Sequence, residues 1–246
     1  MELKTTFHSQ YVRLIATLLW LNESLFFYPA LRRFYRNRAK ANKALLIVDV
    51  GANRGQSIRF FKSCFPEALI HAFEPNPKLY KYLLKKIRDK DIHIYAVGIS
   101  NQKGRIPFYE HILDETSSFE MPASGSTYAA TKNKVLLVKE QNAIKRTYEV
   151  EVNTLDEMAQ QYFGSRIDIL KIDVEGHEAA VLEGASGILA KQAATFIQLE
   201  QHYDDQYEHS DEAIHQLLAN YGYRECYRKK HGFGNFYEVI FEVAKT

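Results

Sequence analysis

The chain of 246 residues contains only two cysteines, Cys64 and Cys226. Both sit in apolar or aromatic surroundings, and neither belongs to a CxxC or a metal-ligand spacing. A disulfide scaffold and a cysteine-bound zinc module are therefore excluded, and two reduced core thiols of a cytosolic protein are expected. Charge of one sign is also lacking: 32 basic residues stand against 30 acidic ones, a net +2. That balance gives no argument for a nucleic-acid partner. No long apolar run is present either. The most apolar stretch near the start is interrupted by Arg13, Asn22 and Glu23, which disqualifies it as a membrane span. No small-residue cleavage site follows it, so it is not a secretory signal. A dinucleotide GxGxxG is missing as well, which argues against a dehydrogenase.

What is present is ordinary globular composition, with 46% apolar and 25% charged residues, in a length that suits one large α/β domain. The first 43 residues differ from the rest. Tyr11, Leu14, Ile15, Leu18 and Leu19 recur at helical spacing, and Leu25 and Phe26 extend the apolar face. Arg32, Arg33, Arg36, Arg38, Lys40 and Lys43 follow with no acidic residue among them. Two readings stand: a helical cap on the domain, or an amphipathic helix at a membrane surface, through residues 11–43, with its basic cluster on anionic lipid. The division expected is an N-terminal helical extension, 1–43, and one domain, 44–246.

From Ala44 onward, strands and helices alternate. Short apolar runs at Leu45–Val50, Leu69–Glu74, Ile92–Val97, Ile167–Asp173 and Ala194–Glu200 read as strands buried on both faces. Helices are expected over Gln56–Cys64, from Pro75 or Pro77 to Lys86, from Asn153 or Thr154 onward, over Glu178–Leu189 and over Asp211–Asn220. Strand-like residues 105–109 and 147–153 bracket a polar segment that reads as a flexible loop or lid. Tyr223–Arg228 and Phe236–Val243 form a hairpin around Gly232-Phe-Gly-Asn235. Repeated β-α units imply a parallel sheet with right-handed crossovers, to which the hairpin adds an antiparallel strand.

In such sheets ligands bind beyond the carboxyl ends of the strands, at the switch point. The first strand ends in Asp49-Val-Gly-Ala-Asn-Arg-Gly55, with Gly51, Ala52, Asn53 and Gly55 forming the turn. Asp49 beside that turn is poorly placed for an anionic pyrophosphate. It suits a ligand carrying an ammonium and a sulfonium, which is the chemistry of S-adenosylmethionine (SAM). Glu74 closes the second strand, where a carboxylate can accept hydrogen bonds from both ribose hydroxyls. Ala96 and Val97, at the end of the third strand, would lie along the adenine.

Val48-Asp-Val-Gly-Ala-Asn-Arg-Gly55, Phe73-Glu-Pro75 and Leu170-Lys-Ile-Asp-Val-Glu-Gly-His-Glu178 closely resemble the FkbM family of SAM-dependent O-methyltransferases. Asn153-Thr-Leu-Asp156 and Leu182-Glu-Gly-Ala185 fit as well. The resemblance runs from about Leu45 to Val243, and the Lys-Ile-Asp-Val-Glu-Gly segment is its most specific part. It implies the class I methyltransferase fold, a doubly wound, mostly parallel, seven-stranded Rossmann-like α/β sheet. It also implies SAM as methyl donor and a hydroxyl acceptor, often on a sugar or a small secondary metabolite.

Methyl transfer is an in-line displacement, so the protein must hold the acceptor oxygen close to the methyl and take its proton. Candidate groups gather at the ends of strands four and five: Asp173, Glu175, His177 and Glu178, then Glu200 and His202. Asp173 also lies near the cofactor's methionine end, because its strand neighbours the first. Glu200 and His202, two apart, would point to one side of an extended chain. His202 is the expected base, with Glu200 or Glu175 orienting it or binding the acceptor. Asp173, Glu200, His202, Asp204 and Asp205 include hard-cation ligands, but nothing fixes a geometry and no metal is assigned. Tyr203, Tyr207, Tyr221, Tyr223, Tyr227 and Phe233 suit either core packing or a sugar ring.

Amino-methylating enzymes of nucleic acids resemble one another in an Asn/Asp-Pro-Pro-Tyr/Phe segment where this chain has Asp173-Val-Glu-Gly176, and an acidic mouth repels phosphate. The acceptor expected is therefore not a nucleic acid. The alternative outside enzymes is a catalytically silent SAM-binding module docked at a membrane surface.

Overall fold

Four apolar runs, at Leu46–Val50, Leu69–Phe73, Ile167–Ile172 and Ala194–His202, line up as inner parallel strands because each is covered on both faces, and a fifth, half-buried run at Ile92–Tyr95 pairs at the edge. The computed structural model describes residues 27–39, 44–111, 117–121, 144–164, 166–202, 211–230 and 236–244. Its elements are helix α1 (Tyr28–Arg38), β1 (Leu46–Val50), α2 (Gln56–Cys64), β2 (Leu69–Phe73), α3 (Pro77–Lys86), β3 (Ile92–Tyr95), β4 (Gly98–Ile99), β5 (Gly104–His111) and β6 (Ile144–Asn153). There follow α4 (Leu155–Met158), running into a π-helical turn over Ala159–Phe163, then β7 (Ile167–Ile172), α5 (Glu178–Glu183), α6 (Ser186–Ala190), β8 (Ala194–His202), α7 (Asp211–Asn220), β9 (Tyr223–Lys230) and β10 (Phe236–Val243).

The main sheet has seven strands in the order β3-β2-β1-β7-β8-β10-β9. The first five are parallel, and β10 runs antiparallel to both β8 and β9. The expected doubly wound sheet with its terminal hairpin is therefore present. The Gly232–Asn235 turn, the apolar stretch 11–26 and most of the polar segment after β5 lie outside the described residues. The strand order reverses at β1, which has β2 on one side and β7 on the other. That is the switch point, and the site lies there.

Successive residues of each strand serve two different cores, as a period of two requires. Val48, Val50, Leu170, Ile172 and Leu199 pack against Leu155, Val181, Leu182 and Leu218 from α4, α5 and α7. Ile47, Ile70, Ile169, Phe196 and Ile240 pack against Leu31, Phe34, Tyr35, Ile58 and Phe61 from α1 and α2. Helix α1 thus belongs to the packing of the domain. Its Tyr35 hydroxyl donates to Gln198 Oε1 of β8 at 2.5 Å, and Arg38 pairs with Glu242 of β10. Both cysteines are free, and burial pushes both thiols up, Cys226 to about 11, so they stay protonated. Among the described residues no helix is long and apolar enough to cross a membrane.

Three features depart from the sequence reading. The third strand ends at Tyr95, not Val97, because the chain turns at Ala96 and enters a second sheet of order β4-β6-β5. Gly98 in β4 leaves room for the Phe119 ring: a Cβ there would lie 2.4 Å from Phe119 Cζ. Residues 105–109 and 147–153 are parts of longer strands that pair with each other in this sheet. The helix expected over Glu178–Leu189 is two helices, broken where Gly184 passes the backbone of Ser100 so closely that a Cβ would lie 2.0 Å from its carbonyl oxygen.

The start of α6, left open by that break, is closed by Asp156 of α4. Its carboxylate accepts from Gly187 N at 2.7 Å and Ile188 N at 2.9 Å, satisfying two donors no helix can satisfy itself. Asp156→Ala is expected to lower stability by about 1–2 kcal/mol, read in a urea melt, while leaving SAM affinity unchanged. The α3 start is capped in the same way by Asn76, whose side chain accepts from Lys78 N and Leu79 N, and Thr154 caps α4 by accepting from Glu157 N at 3.2 Å.

Candidate functional site

The turn after β1 is held in a shape that only small or permissive residues adopt. Gly51 has φ +87, and a Cβ on it would lie 1.9 Å from the carbonyl oxygen of Asp173. The two strand ends meet there, with Asp173 N donating to Val50 O at 3.0 Å. Gly51 N and Ala52 N both donate to Phe73 O at the end of β2, and Ala52 is buried. Asn53 takes φ +47 and Gly55 φ +77, the latter capping α2. Asn76 N donates to Glu74 Oε1 at 2.8 Å and Asn53 N to Glu74 Oε2 at 2.7 Å. The Glu74 carboxylate therefore ties the turn to the end of β2. A carboxylate has about four lone-pair sites, so two backbone donors alone do not exhaust it as an acceptor. Ala96 is exposed and Val97 buried just beyond β3, on the same side of the switch point. The glycine turn, the closing glutamate and the open edge after β3 fit the methionine, ribose and adenine parts of SAM in that order.

Asp49 lies beneath this turn and is fully buried. Its Oδ2 accepts from Ser57 Oγ of α2 at 2.5 Å, and its Oδ1 has no hydrogen-bond partner. The cation nearest to Oδ1 is Lys171 Nζ of β7, at 3.9 Å. The same ammonium reaches Asp173 Oδ2 at 2.8 Å. Burial pushes the Asp49 carboxyl up, and Lys171 and Ser57 pull it back. Asp49 is thus a fully buried carboxylate with one oxygen lacking a hydrogen bond and balanced by the charge of Lys171.

Asp173 lies at the rim, its side chain 35% exposed. The protein around it displaces water and Glu200 repels its charge, and together these raise its pKa to about 6 against the pull of Lys171. Below that pH the carboxyl is protonated, and a negative charge beside the cationic cofactor is lost. SAM affinity is expected to fall about three- to tenfold between pH 7 and pH 5, by calorimetry, and Asp173→Asn is expected to erase this limb.

Asp173, Glu175 and Glu200 each offer a carboxylate oxygen, and the three lie within 4.8 Å of one another. Exposed acidic groups gather commonly without an ion, and no metal is assigned. Glu175 sits at φ +54, in the left-handed region, and Gly176 follows at φ +98. This loop is held from two sides. Glu178 folds back to accept from Val174 N at 3.1 Å and Gly176 N at 3.0 Å. Ser118 Oγ donates to the Glu175 carbonyl at 2.6 Å. His177 joins the second sheet to the first: its Nδ1 bonds Glu120 Oε1 at 2.7 Å, its Nε2 bonds Ser100 Oγ at 3.0 Å, and Phe119 packs on its ring. His177 and Glu178, among the sequence candidates, thus shape the loop that carries Glu175.

Glu200 is half-buried on β8, opposite Glu238 of β10. His202 ends β8 opposite Phe236, and its side chain lies outside the described residues, as do Tyr203, Asp204, Asp205, Tyr207 and Phe233. Tyr221, Tyr223 and Tyr227 pack into the two cores, and the Tyr223 hydroxyl donates to Ala194 O at 3.0 Å. Sequence reasoning passed over Lys171, Ser118, Glu120 and Ser100. For Lys171 a signal existed, since a lone lysine inside an apolar buried strand needs a partner. The other three act across 57 to 77 positions of chain, which no local pattern reports.

Comparison with known proteins bears on the family and the fold. The model of the methyltransferase FkbM domain matches residues 49–225. Methyltransferase sdnD of Sordaria araneosa is 29% identical over 160 residues, covering 56% of this chain and 59% of that protein. The 2-O-methyltransferase NoeI of Sinorhizobium fredii is 30% identical over 162 residues, covering 65% of this chain and 64% of that protein. The chain therefore matches less than two-thirds of the length of either relative. Among solved structures, the methyltransferase FkbM of Methylobacillus flagellatus superimposes with a TM-score of 0.50 at 12% identity, over 81% of this chain and 43% of that one. At that identity the likeness concerns the fold alone.

Proposed function

Since the chain belongs to the FkbM family of methyltransferases, whose methyl donor is SAM, we propose that it is an O-methyltransferase acting on a hydroxyl of a sugar, a glycan or a small secondary metabolite. The observation that carries this reading is the convergence of Asp173, Glu175 and Glu200 within 4.8 Å, one strand end away from the cofactor turn. Paired carboxylates accept hydrogen bonds from neighbouring hydroxyls and leave no seat for a phosphate backbone. The relative NoeI, a 2-O-methyltransferase by name, supports a hydroxyl acceptor.

Bound SAM supplies an activated methyl and its leaving group. The residues of this chain then bind, orient and take a proton. Glu74 and the edge after β3 seat the nucleoside, the turn from Gly51 to Gly55 seats the methionine end, and Asp49 provides negative potential beneath it. Asp173 and Glu175 orient the acceptor hydroxyl in line with the methyl. His202 is the proposed base, with Glu200 two residues earlier on β8 to orient it. Removing a positioned base lowers rate about 10²–10⁴-fold.

The test is to offer SAM with a panel of glycans and hydroxylated metabolites and to look by mass spectrometry for gain of one methyl. Methylation at oxygen, lost in His202→Ala, is the expected result. Methylation at nitrogen only would overturn it.

A second reading, a silent SAM-binding module at the inner face of a membrane, is favoured by one observation. Arg32, Arg33 and Arg36 of α1 have no carboxylate partner among the described residues, and with Tyr28, Pro29 and Asn37 they line a groove of about 530 Å³. Co-sedimentation with anionic vesicles, lost in Arg33→Glu/Arg36→Glu, together with SAM binding but no turnover on any acceptor, would favour it.

A further inference from the structure

Lys171 is the one charged residue of the Leu170-Lys-Ile-Asp-Val-Glu-Gly176 segment that neither the cofactor turn nor the acceptor mouth uses. We propose that Lys171 is a positioning residue of the methyl-transfer site: its ammonium holds the carboxylates of Asp49, beneath the cofactor, and Asp173, at the acceptor mouth, ionised and in fixed relation to each other. This rests on the reading of the turn as the SAM seat.

Three observations carry it. Lys171 is buried, on a strand in the middle of the sheet. Taking an ammonium out of water there is strongly unfavourable unless opposite charges meet it. They do, from three carboxylates: Asp49 on β1 at 3.9 Å, Asp173 just past the end of its own β7 at 2.8 Å, and at longer range Glu238 on β10; Glu200 on β8 faces Asp173. From the helical side, Tyr35 of α1 engages Gln198, the register neighbour of Lys171.

Second, Asp49 Oδ1 is fully buried and has no hydrogen-bond donor. Lys171 is the positive charge that compensates it. Third, Asp49 and Asp173 lie on adjacent strands and belong to the two halves of the site. Lys171 is the side chain that touches both. The net field of Lys171 on each carboxylate is to favour its charged form, while burial favours the neutral form. Without the ammonium, burial acts alone and both carboxyls take up protons nearer neutral pH.

This gives a readout that a merely structural lysine would not move. SAM affinity of the full chain is measured by calorimetry at pH 6 to 9 for wild type, Lys171→Met and Lys171→Arg. The titration of SAM itself is common to all three and cancels in the ratio of dissociation constants. For Lys171→Met the acid limb of affinity is expected to rise by about one to three pH units. Its Kd relative to wild type is then about tenfold weaker at pH 6–7 and returns to one or below at pH 9, where both carboxylates are ionised again. Lys171→Arg, which keeps the charge, is expected to stay within about twofold of wild type throughout.

A Kd ratio for Lys171→Met that does not change with pH overturns the proposal, as does an equal, pH-dependent loss in Lys171→Arg. Should Lys171→Met not fold, Lys171→Met/Asp173→Asn removes the carboxylate left unpaired. Its affinity is expected to fall on acidification through a limb carried by Asp49, and a flat profile overturns the proposal. Absence of SAM binding in the wild type would instead sink the cofactor reading itself, so the two failures are distinct.

Discussion

An alanine at position 51 is expected to remove measurable SAM binding and to lower stability by at least about 3 kcal/mol. Two effects add. An L-residue at φ +87 costs roughly 1–2 kcal/mol. The added Cβ would also lie 1.9 Å from Asp173 O, which is backbone and cannot swing aside. The ends of β1 and β7 must separate, and the 3.0 Å bond between Asp173 N and Val50 O goes with them. Gly164→Ala is the control. It too has a positive φ, +72, but nothing lies within 4 Å of its Cβ position. With ψ −178 it sits in a region essentially confined to glycine, so Gly164→Ala is expected to lose about 1–3 kcal/mol and to bind SAM as wild type does. Thermal melts and calorimetry on the two variants separate conformational strain from close approach. If Gly51→Ala binds within threefold of wild type, the turn does not seat the cofactor.

Glu74→Ala is expected to weaken SAM binding by about 10²–10³-fold. Each of the two backbone donors it leaves, Asn53 N and Asn76 N, is then short of its acceptor, at about 1–3 kcal/mol apiece when buried. The ribose loses its carboxylate at the same time. Glu74→Gln should be intermediate, because an amide offers one oxygen where two donors need acceptors. The loss is expected to be equal for SAM and S-adenosylhomocysteine, since both carry the ribose and only one carries the sulfonium. A loss confined to SAM would mean that Glu74 acts as a charge at the methyl end and not as a ribose ligand.

Gly51 and Glu74 stand out in the sequence because the signals that mark them are local. A strand, a glycine turn and the acidic end of the next strand lie within 26 consecutive residues, Asp49 to Glu74. The continuous apolar runs of β1, β2, β7 and β8 made the parallel sheet legible for the same reason, since burial on both faces writes itself into adjacent residues. The second sheet was not legible as a unit. Only a few residues of β5 and β6 are buried, and they cluster toward one end of each strand. Too little alternation is left to fix pairing or length. The break at Gly184 depends on the backbone of Ser100, 84 positions away, and the single helix expected there followed a periodicity that ignores such a contact. On the acceptor side, the sequence supplied six candidate groups of similar type. Sorting Asp173, Glu175 and Glu200 at the mouth from His177 and Glu178 in the supporting loop required coordinates.

The pairing of β1 with β7 carries a kinetic consequence. Val50 meets Ile172 across a closed loop of more than a hundred residues, while its other neighbour, Phe73, is 23 positions away. Closing the longer loop carries the larger entropy loss, and contacts of that separation form late in folding. The β1-α2-β2-α3-β3 half can assemble from near neighbours. The seam between Gly51 and Asp173 closes only when the distant half docks. The proposed methyl-transfer centre lies on that seam, so it is expected to be among the last parts of the molecule to form. Cofactor binding then reports completion of the fold, and a ligand that bridges the seam draws the population toward the closed form by mass action.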